Sequence, residues 1–186
     1  MLSEQVIAVN KNNLPLGKLS KKDALLNGVL HRAFSVFVFN KDQELLLQKR
    51  ALNKQTYPGM WSICSSYPTI DENCIDAAHR RLKEEMGFDC QLIKAFDYVH
   101  ESETEHNFFD KKYIEVFFGI YAGKPKINKN EASEWEYVSL ELLKKMIKES
   151  PGNYSPLLYF TTIDMENFSK KNFDKSAIQD SNFNFI

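Results

Sequence analysis

The chain has 186 residues, of which 43% are hydrophobic and 26% charged, with a net charge of −1 and three cysteines. That length suits one domain with a sizeable core, and the near-zero charge gives no reason to expect nucleic acid or an anionic membrane as a partner. Cys64, Cys74 and Cys90 are too sparse for a disulfide scaffold. The N-terminus carries Glu4 early and no basic region, a poor match to a secretory signal, and no apolar run approaches bilayer-spanning length. A cytoplasmic setting is therefore expected.

Taken in chain order, residues 4–9 read as a first strand, closed by the turn cluster Asn10 to Asn13, and residues 14–19 as a second extended piece. Ser20 is placed to cap a helix over Lys21 to Leu26, with Asp23 three residues on, and Asn27-Gly28 ends it. Residues 33–39 are aromatic and β-branched, which predicts a strand buried on both faces. Asn40-Lys41-Asp42 turns that strand into a second, residues 44–50, as a hairpin. Tyr57-Pro58-Gly59 marks a further turn before Trp61-Ser62-Ile63-Cys64-Ser65-Ser66-Tyr67-Pro68.

From Asn73 to Met86 the apolar residues Ile75, Ala78, Leu82 and Met86 fall at helical spacing, and Gly87 supplies the stop. Strands are expected at 90–96 and 113–121, with the polar, acidic stretch 99–112 between them as a loop or hairpin excursion. A last strand covers 135–138, Ser139 caps a helix over 141–148, and Pro151-Gly152-Asn153 breaks it. Ser155-Pro156 precedes a helical stretch to about Met165. Residues 169–186, rich in Lys, Asn, Asp and Ser, are expected to fray, leaving one domain over 1–168. The irregular alternation of strands and helices predicts an α/β class with a mixed sheet between helices.

Ser66 to Phe88 resembles the Nudix box, a 23-residue loop–helix–loop with which that family holds divalent metal against a diphosphate. Glu72, Arg80, Leu82, Glu84, Glu85 and Gly87 fall in register with the pattern; Ser66 stands where glycine is expected and Arg81 where the first helical glutamate is. Adjacent carboxylates suit Mg²⁺, which binds through one or two carboxylates plus substrate phosphates. A bare Glu-Glu pair on a solvated helix would more often mean ion pairs; it is the matched frame that points to chemistry.

Beyond the box, residues 31–40, 45–54, 57–62, 80–87 and 154–156 are similar to the type 1 isopentenyl-diphosphate isomerases, a Nudix branch, over about residues 5–163. Arg-Arg at 80–81 is typical of that branch. The resemblance implies a Nudix α/β/α fold and a diphosphate held by Lys21, Arg50 and Lys54. It further implies metal ligands among Glu84, Glu85, His31 and Glu115, with Mg²⁺, or Mn²⁺, as cofactor.

The pattern departs at the isomerase's reacting groups. Aligned on Pro68, Ser65 stands at the catalytic cysteine and Tyr67 at a metal-binding histidine; Cys64 falls one residue early and comes into play only if the gap is moved. Of three histidines and two glutamates that hold the isomerases' metal, His31 and Glu115 match. Tyr113 replaces the partner of Glu115, and Ala24 or Leu25 stands where another histidine would lie. Tyr98 matches a tyrosine that assists proton transfer, while nothing in the sequence places His100 and His106.

The residues favour Mg²⁺-dependent hydrolysis of an organic, isoprenoid-type diphosphate, with Glu72, Glu84 and Glu85 as metal- and water-orienting carboxylates. The alternatives are an isomerase with a substituted site, using Ser65, Glu115 and Tyr98, and a non-catalytic binder on the same fold. The expected partner is a small diphosphate, without nucleic acid or membrane; monomer and homodimer both remain open.

Overall fold

A computed structural model describes residues 4–103, 109–159 and 162. Strands β1 (Gln5–Val9) and β2 (Pro15–Ser20) pair antiparallel. Ser20 then caps α1 (Lys21–Leu26), its Oγ accepting from the Asp23 N–H at 3.0 Å.

Strand β3 (His31–Phe39) is the centre of a mixed sheet. It runs parallel to β8 (Phe109–Ile120) from His31–Lys112 to Phe39–Ile120, and both its faces are covered, which explains an apolar run from Ala33 to Phe39 that only Ser35 interrupts. The expected hairpin with β4 (Leu45–Arg50) opens at once: among the described residues the two strands share one pair, Phe39–Leu45. The short strands β5 (Trp61–Ser62) and β6 (Cys64–Ser66) intervene, with β6 pairing to β3 through Phe34–Ser66, Ser35–Ser65 and Val36–Cys64. Strand β4 turns to β5 and β9 (Ala132–Val138) instead. Buried backbone donors and acceptors must be paired, and β6 and β9 supply the partners that the opened hairpin lacks.

The polar stretch 99–112 is largely strand. β7 (Leu92–Glu103) and β8 pair antiparallel from Leu92–Gly119 to Glu103–Phe109; residues 104–108, including His106, lie outside the described residues. Glu101 and Glu103 fall on exposed positions of an alternating ladder, so their polarity marks a solvated face, whereas Asp110 is buried.

Helix α2 (Cys74–Met86) starts and stops where its sequence signals stand. Asn73 accepts from the Asp76 N–H at 2.9 Å, and Gly87 takes the left-handed conformation at φ 72°. It buries Ala78, Leu82 and Met86 against Phe34, Val36 and Phe117. Replacing Leu82 with alanine would cost about 2–5 kcal/mol in lost contact and cavity. Helix α3 (Leu140–Glu149), capped by Ser139, packs Leu143 and Ile147 on the other face with Phe37, Leu47 and Val116. The sheet thus lies between helices, the α/β/α arrangement expected. Residues 156–159 are helical, and the tail 169–186 lies outside the described residues. No described helix is long and apolar enough to cross a membrane.

Candidate active site

Side chains alternate along a strand, so β3 and β8 sort their residues between two faces. Ala33, Ile114 and Val116 join the α3 side, whereas Val36 and Phe117 join the α2 side. A cleft of about 960 Å³ opens over β3, β6 and β8, bounded by α1 and the loop after β4. Its apolar wall includes Leu25, Ala33, Phe34, Ile114 and Leu157. Six cationic side chains line it, Lys21, Lys22, Arg50, Lys54, Arg81 and Lys112, against the acidic Glu4, Glu85 and Glu131. A chain of net charge −1 therefore concentrates positive charge in one hollow.

The three cations expected to hold a diphosphate come together there. Lys21 opens α1; its Nζ pairs with Glu4 at 2.9 Å and lies 4.9 Å from the Tyr67 ring centroid. Arg50 ends β4 and donates through Nε to the Thr56 carbonyl at 2.9 Å. Burial pulls its pKa below the ordinary arginine range, with Glu85 and Glu131 opposing. Lys54 pairs with Glu131 at 2.7 Å, and against the effect of burial Lys54 and Arg81 hold that carboxyl below the usual carboxylate range.

The box carboxylates are dispersed and paired with arginine. Glu72 accepts from Arg80 at 2.7 and 2.9 Å and from the Thr69 N–H at 3.1 Å; chiefly through Arg80 its pKa falls to about 2. It ties the loop to α2 and does not line the cleft. Glu84 is 43% exposed and lies between Arg80 and Arg81. Glu85 is 4% exposed, lines the cleft, and accepts from Gln48 Nε2 at 2.6 Å and Arg81 Nε at 2.9 Å.

Arg81, the departure from the hydrolase pattern, bridges Glu84, Glu85 and Glu131. Burial works against its charge, and Glu85 and Glu131 outweigh that, so its pKa rises. Of the box carboxylates only Glu85 faces the cleft. One such carboxylate together with diphosphate oxygens is a donor set that Mg²⁺ accepts.

Strand parity separates Ser65 from Cys64. Ser65 lines the cleft and donates to Ser35 Oγ at 3.0 Å, whereas Cys64 packs among the α2-side core residues. Burial raises the Cys64 thiol pKa well above the ordinary range and so disfavours the nucleophilic thiolate. Glu115 is on the face opposite Ile114, held by Asn13 at 3.0 Å and Lys94 at 3.1 Å, away from the cleft. Tyr98 pairs in register with Ile114 on β7 and stacks near Phe96. His31 is fully buried beneath Tyr67, with ring centroids 5.5 Å apart, and burial lowers its pKa. Glu84, Glu85, His31 and Glu115 are thus not brought to one point; among the described residues no three His, Cys, Asp or Glu converge on a position for an ion.

Two participants were not drawn from the sequence. Lys112 lines the cleft, and its Nζ is 2.7 Å from Asp110 and 5.9 Å from the Tyr67 ring centroid. Glu131 anchors Arg81 and Lys54 from the loop before β9. The parity of β8 was the available signal for Lys112: it shares a face with Ile114 and Val116, and Glu115 does not.

Comparison with known proteins identifies the family and the fold. The NUDIX domain family matches residues 29–158. Isopentenyl-diphosphate Delta-isomerase 2 of Aromatoleum aromaticum is 40% identical over 155 residues, covering 83% of this chain and 82% of that protein. The isomerase 2 of Photorhabdus laumondii is 39% identical, covering 83% and 88%. In fold, the chain is similar to a Deinococcus radiodurans protein of known crystal structure, with TM-score 0.70, 19% identity and coverage of 84% and 96%. It is also similar to a MutT protein of Methanosarcina mazei, with TM-score 0.62, 21% identity and coverage of 77% and 96%. The chain belongs to the Nudix superfamily, in its isopentenyl-diphosphate Delta-isomerase branch.

Proposed function

We propose that the cleft binds a five-carbon isoprenoid diphosphate and that the chain moves its double bond between the isopentenyl and dimethylallyl positions, the reaction its relatives' names describe. The observation that carries this is that one cleft is lined both by cations, among them Lys21, Arg50 and Lys54, and by the apolar Leu25, Phe34, Ile114 and Leu157. Lys21, Arg50 and Lys54 would exchange Glu4, Thr56 and Glu131 for phosphate oxygens. Leu25, Phe34, Ile114 and Leu157 would cover the hydrocarbon. Mg²⁺, arriving with the diphosphate, would offset phosphate charge beside Glu85.

The rearrangement adds a proton to the terminal methylene carbon and removes one from the carbon two bonds away, with no net change in composition. Ser65 is a weak acid for such a step. Tyr67, on the cleft wall, is assigned as donor and Glu85, a cleft carboxylate, as acceptor. The hydrolase reading needs several box carboxylates around metal and water; only Glu85 of them lines the cleft, with Glu72 and Glu84 outside it on Arg80 and Arg81.

The test is incubation of the purified protein and Mg²⁺ with isopentenyl diphosphate in D₂O, followed by NMR for bond position and by phosphate assay. A shifted double bond with deuterium incorporated, reduced about a hundredfold or more by Glu85→Gln, is expected. Phosphate release without a shift would replace this reading with hydrolysis. Absence of both, with the diphosphate still bound, would leave a binding protein.

A further inference from the structure

His31, Lys112 and His100 form one row across three strands: His31 pairs with Lys112 on β8, and Lys112 with His100 on β7. Directly paired residues turn their side chains to the same face about 5 Å apart. The Lys112 side chain is only 14% exposed, and its Nζ contacts Asp110 Oδ2 at 2.7 Å. That carboxylate pairs the buried ammonium.

Next to it are two buried atoms without hydrogen-bond partners, His31 Nε2 and Asp110 Oδ1, 3.7 Å apart. His31 Nδ1 lies 2.9 Å from the Val29 carbonyl oxygen, which only accepts, so the ring hydrogen sits on Nδ1 and Nε2 presents a lone pair. Two unpartnered buried lone pairs 3.7 Å apart suit a neighbouring positive charge. The positive charge beside them is Lys112, and a divalent ion would be forced against that ammonium in a low-dielectric setting. The residues present do not fit the histidine–glutamate metal centre implied by the resemblance.

We propose that Lys112 is the resident cation of this part of the cleft, its charge beside His31 and Asp110 standing in place of a bound divalent metal. The inference deepens the isomerase reading and rests on it for what fills the cleft, but its test reads metal occupancy, not turnover, so either can fail alone.

The test starts from the native full chain without diphosphate, by elemental analysis and by calorimetric titration with Mn²⁺ and Zn²⁺. Less than about 0.1 equivalent of retained metal is expected, with no binding that depends on His31. Lys112→Glu sets a carboxylate between the two imidazoles and is expected to bind one of these ions at least about tenfold more tightly than the native chain. Adding His31→Ala to that variant should abolish the gain. If Lys112→Glu does not fold, Lys112→Ala is read in the same way. Native protein holding about one equivalent of metal that His31→Ala removes would overturn the proposal, as would folded Lys112 variants with no gain.

Discussion

Ser65 Oγ donates to Ser35 Oγ at 3.0 Å on the cleft side of the sheet, while the adjacent Cys64 is 5% exposed on the opposite side. One step along β6 therefore separates a group that substrate can meet from one that it cannot.

That separation gives the first prediction. Native protein at pH 8 should leave Cys64 unlabelled by a thiol reagent, because burial keeps the thiol protonated and covered. Ser65→Cys should add one reactive thiol and raise double-bond isomerisation at least about tenfold. Cys64→Ser should leave turnover within about twofold. Rapid labelling of native Cys64, mapped by mass spectrometry, would contradict the assignment of faces.

Adjacent carboxylates in the box should behave unequally. Glu85→Ala leaves Arg81 and Gln48 without their buried acceptor and is expected to cost about 3 kcal/mol in urea unfolding. Glu84→Ala, at a site 43% exposed, should cost no more than about 0.5 kcal/mol. Equal losses would show that Glu85 is not the clamped member.

Glu72 should contribute to the acid limb of stability. Its folded pKa of about 2 lies below the unfolded value of about 4.3, so its contribution is full above that value. It is lost as pH falls from about 4.3 toward 2. Glu72→Gln should therefore flatten the fall in Tm over that window and lower Tm at pH 7. An unchanged acid limb would mean that the Arg80 pair carries no net stabilisation.

Gly87 should resist substitution. Its φ of 72° is left-handed, and a Cβ there would meet the Lys126 carbonyl oxygen and lie 2.9 Å from the Lys126 Cβ. Gly87→Ala should destabilise by about 2 kcal/mol or more, with strain added to the conformational term. A loss near zero would show that the chain at Lys126 yields freely.

Much of this architecture was readable before folding. Asn73 and Gly87 bound α2 because a side-chain acceptor and a left-handed glycine act within a few residues of themselves. The box register and the cations Lys21, Arg50 and Lys54 were legible only through the resemblance to a known family, and the structure lines one cleft with those three. The hairpin turn of β3 into β4 was read correctly, but not how soon the pair opens: the turn at Asn40 reports local geometry, while β6 and β9 arrive from later in the chain to take the strand edges.

The sequence by itself determined most element types and the limits of α2; Lys112, in the stretch 99–112 outside the expected strand, joins β8 only in the fold, where alternation sets it on the face opposite Glu115. Alternation is silent on which face meets the cleft. That was decided by the parallel register of β8 with β3 and by α1 and β6 enclosing one side. It placed Lys112 beside His31 and turned Glu115 away to Lys94. Likewise, nothing local to α2 connects Arg81 with Glu131, fifty residues on. Their ion pair exists because the loop before β9 folds back over the helix, and such contacts depend on packing between distant segments, not on the residues beside them.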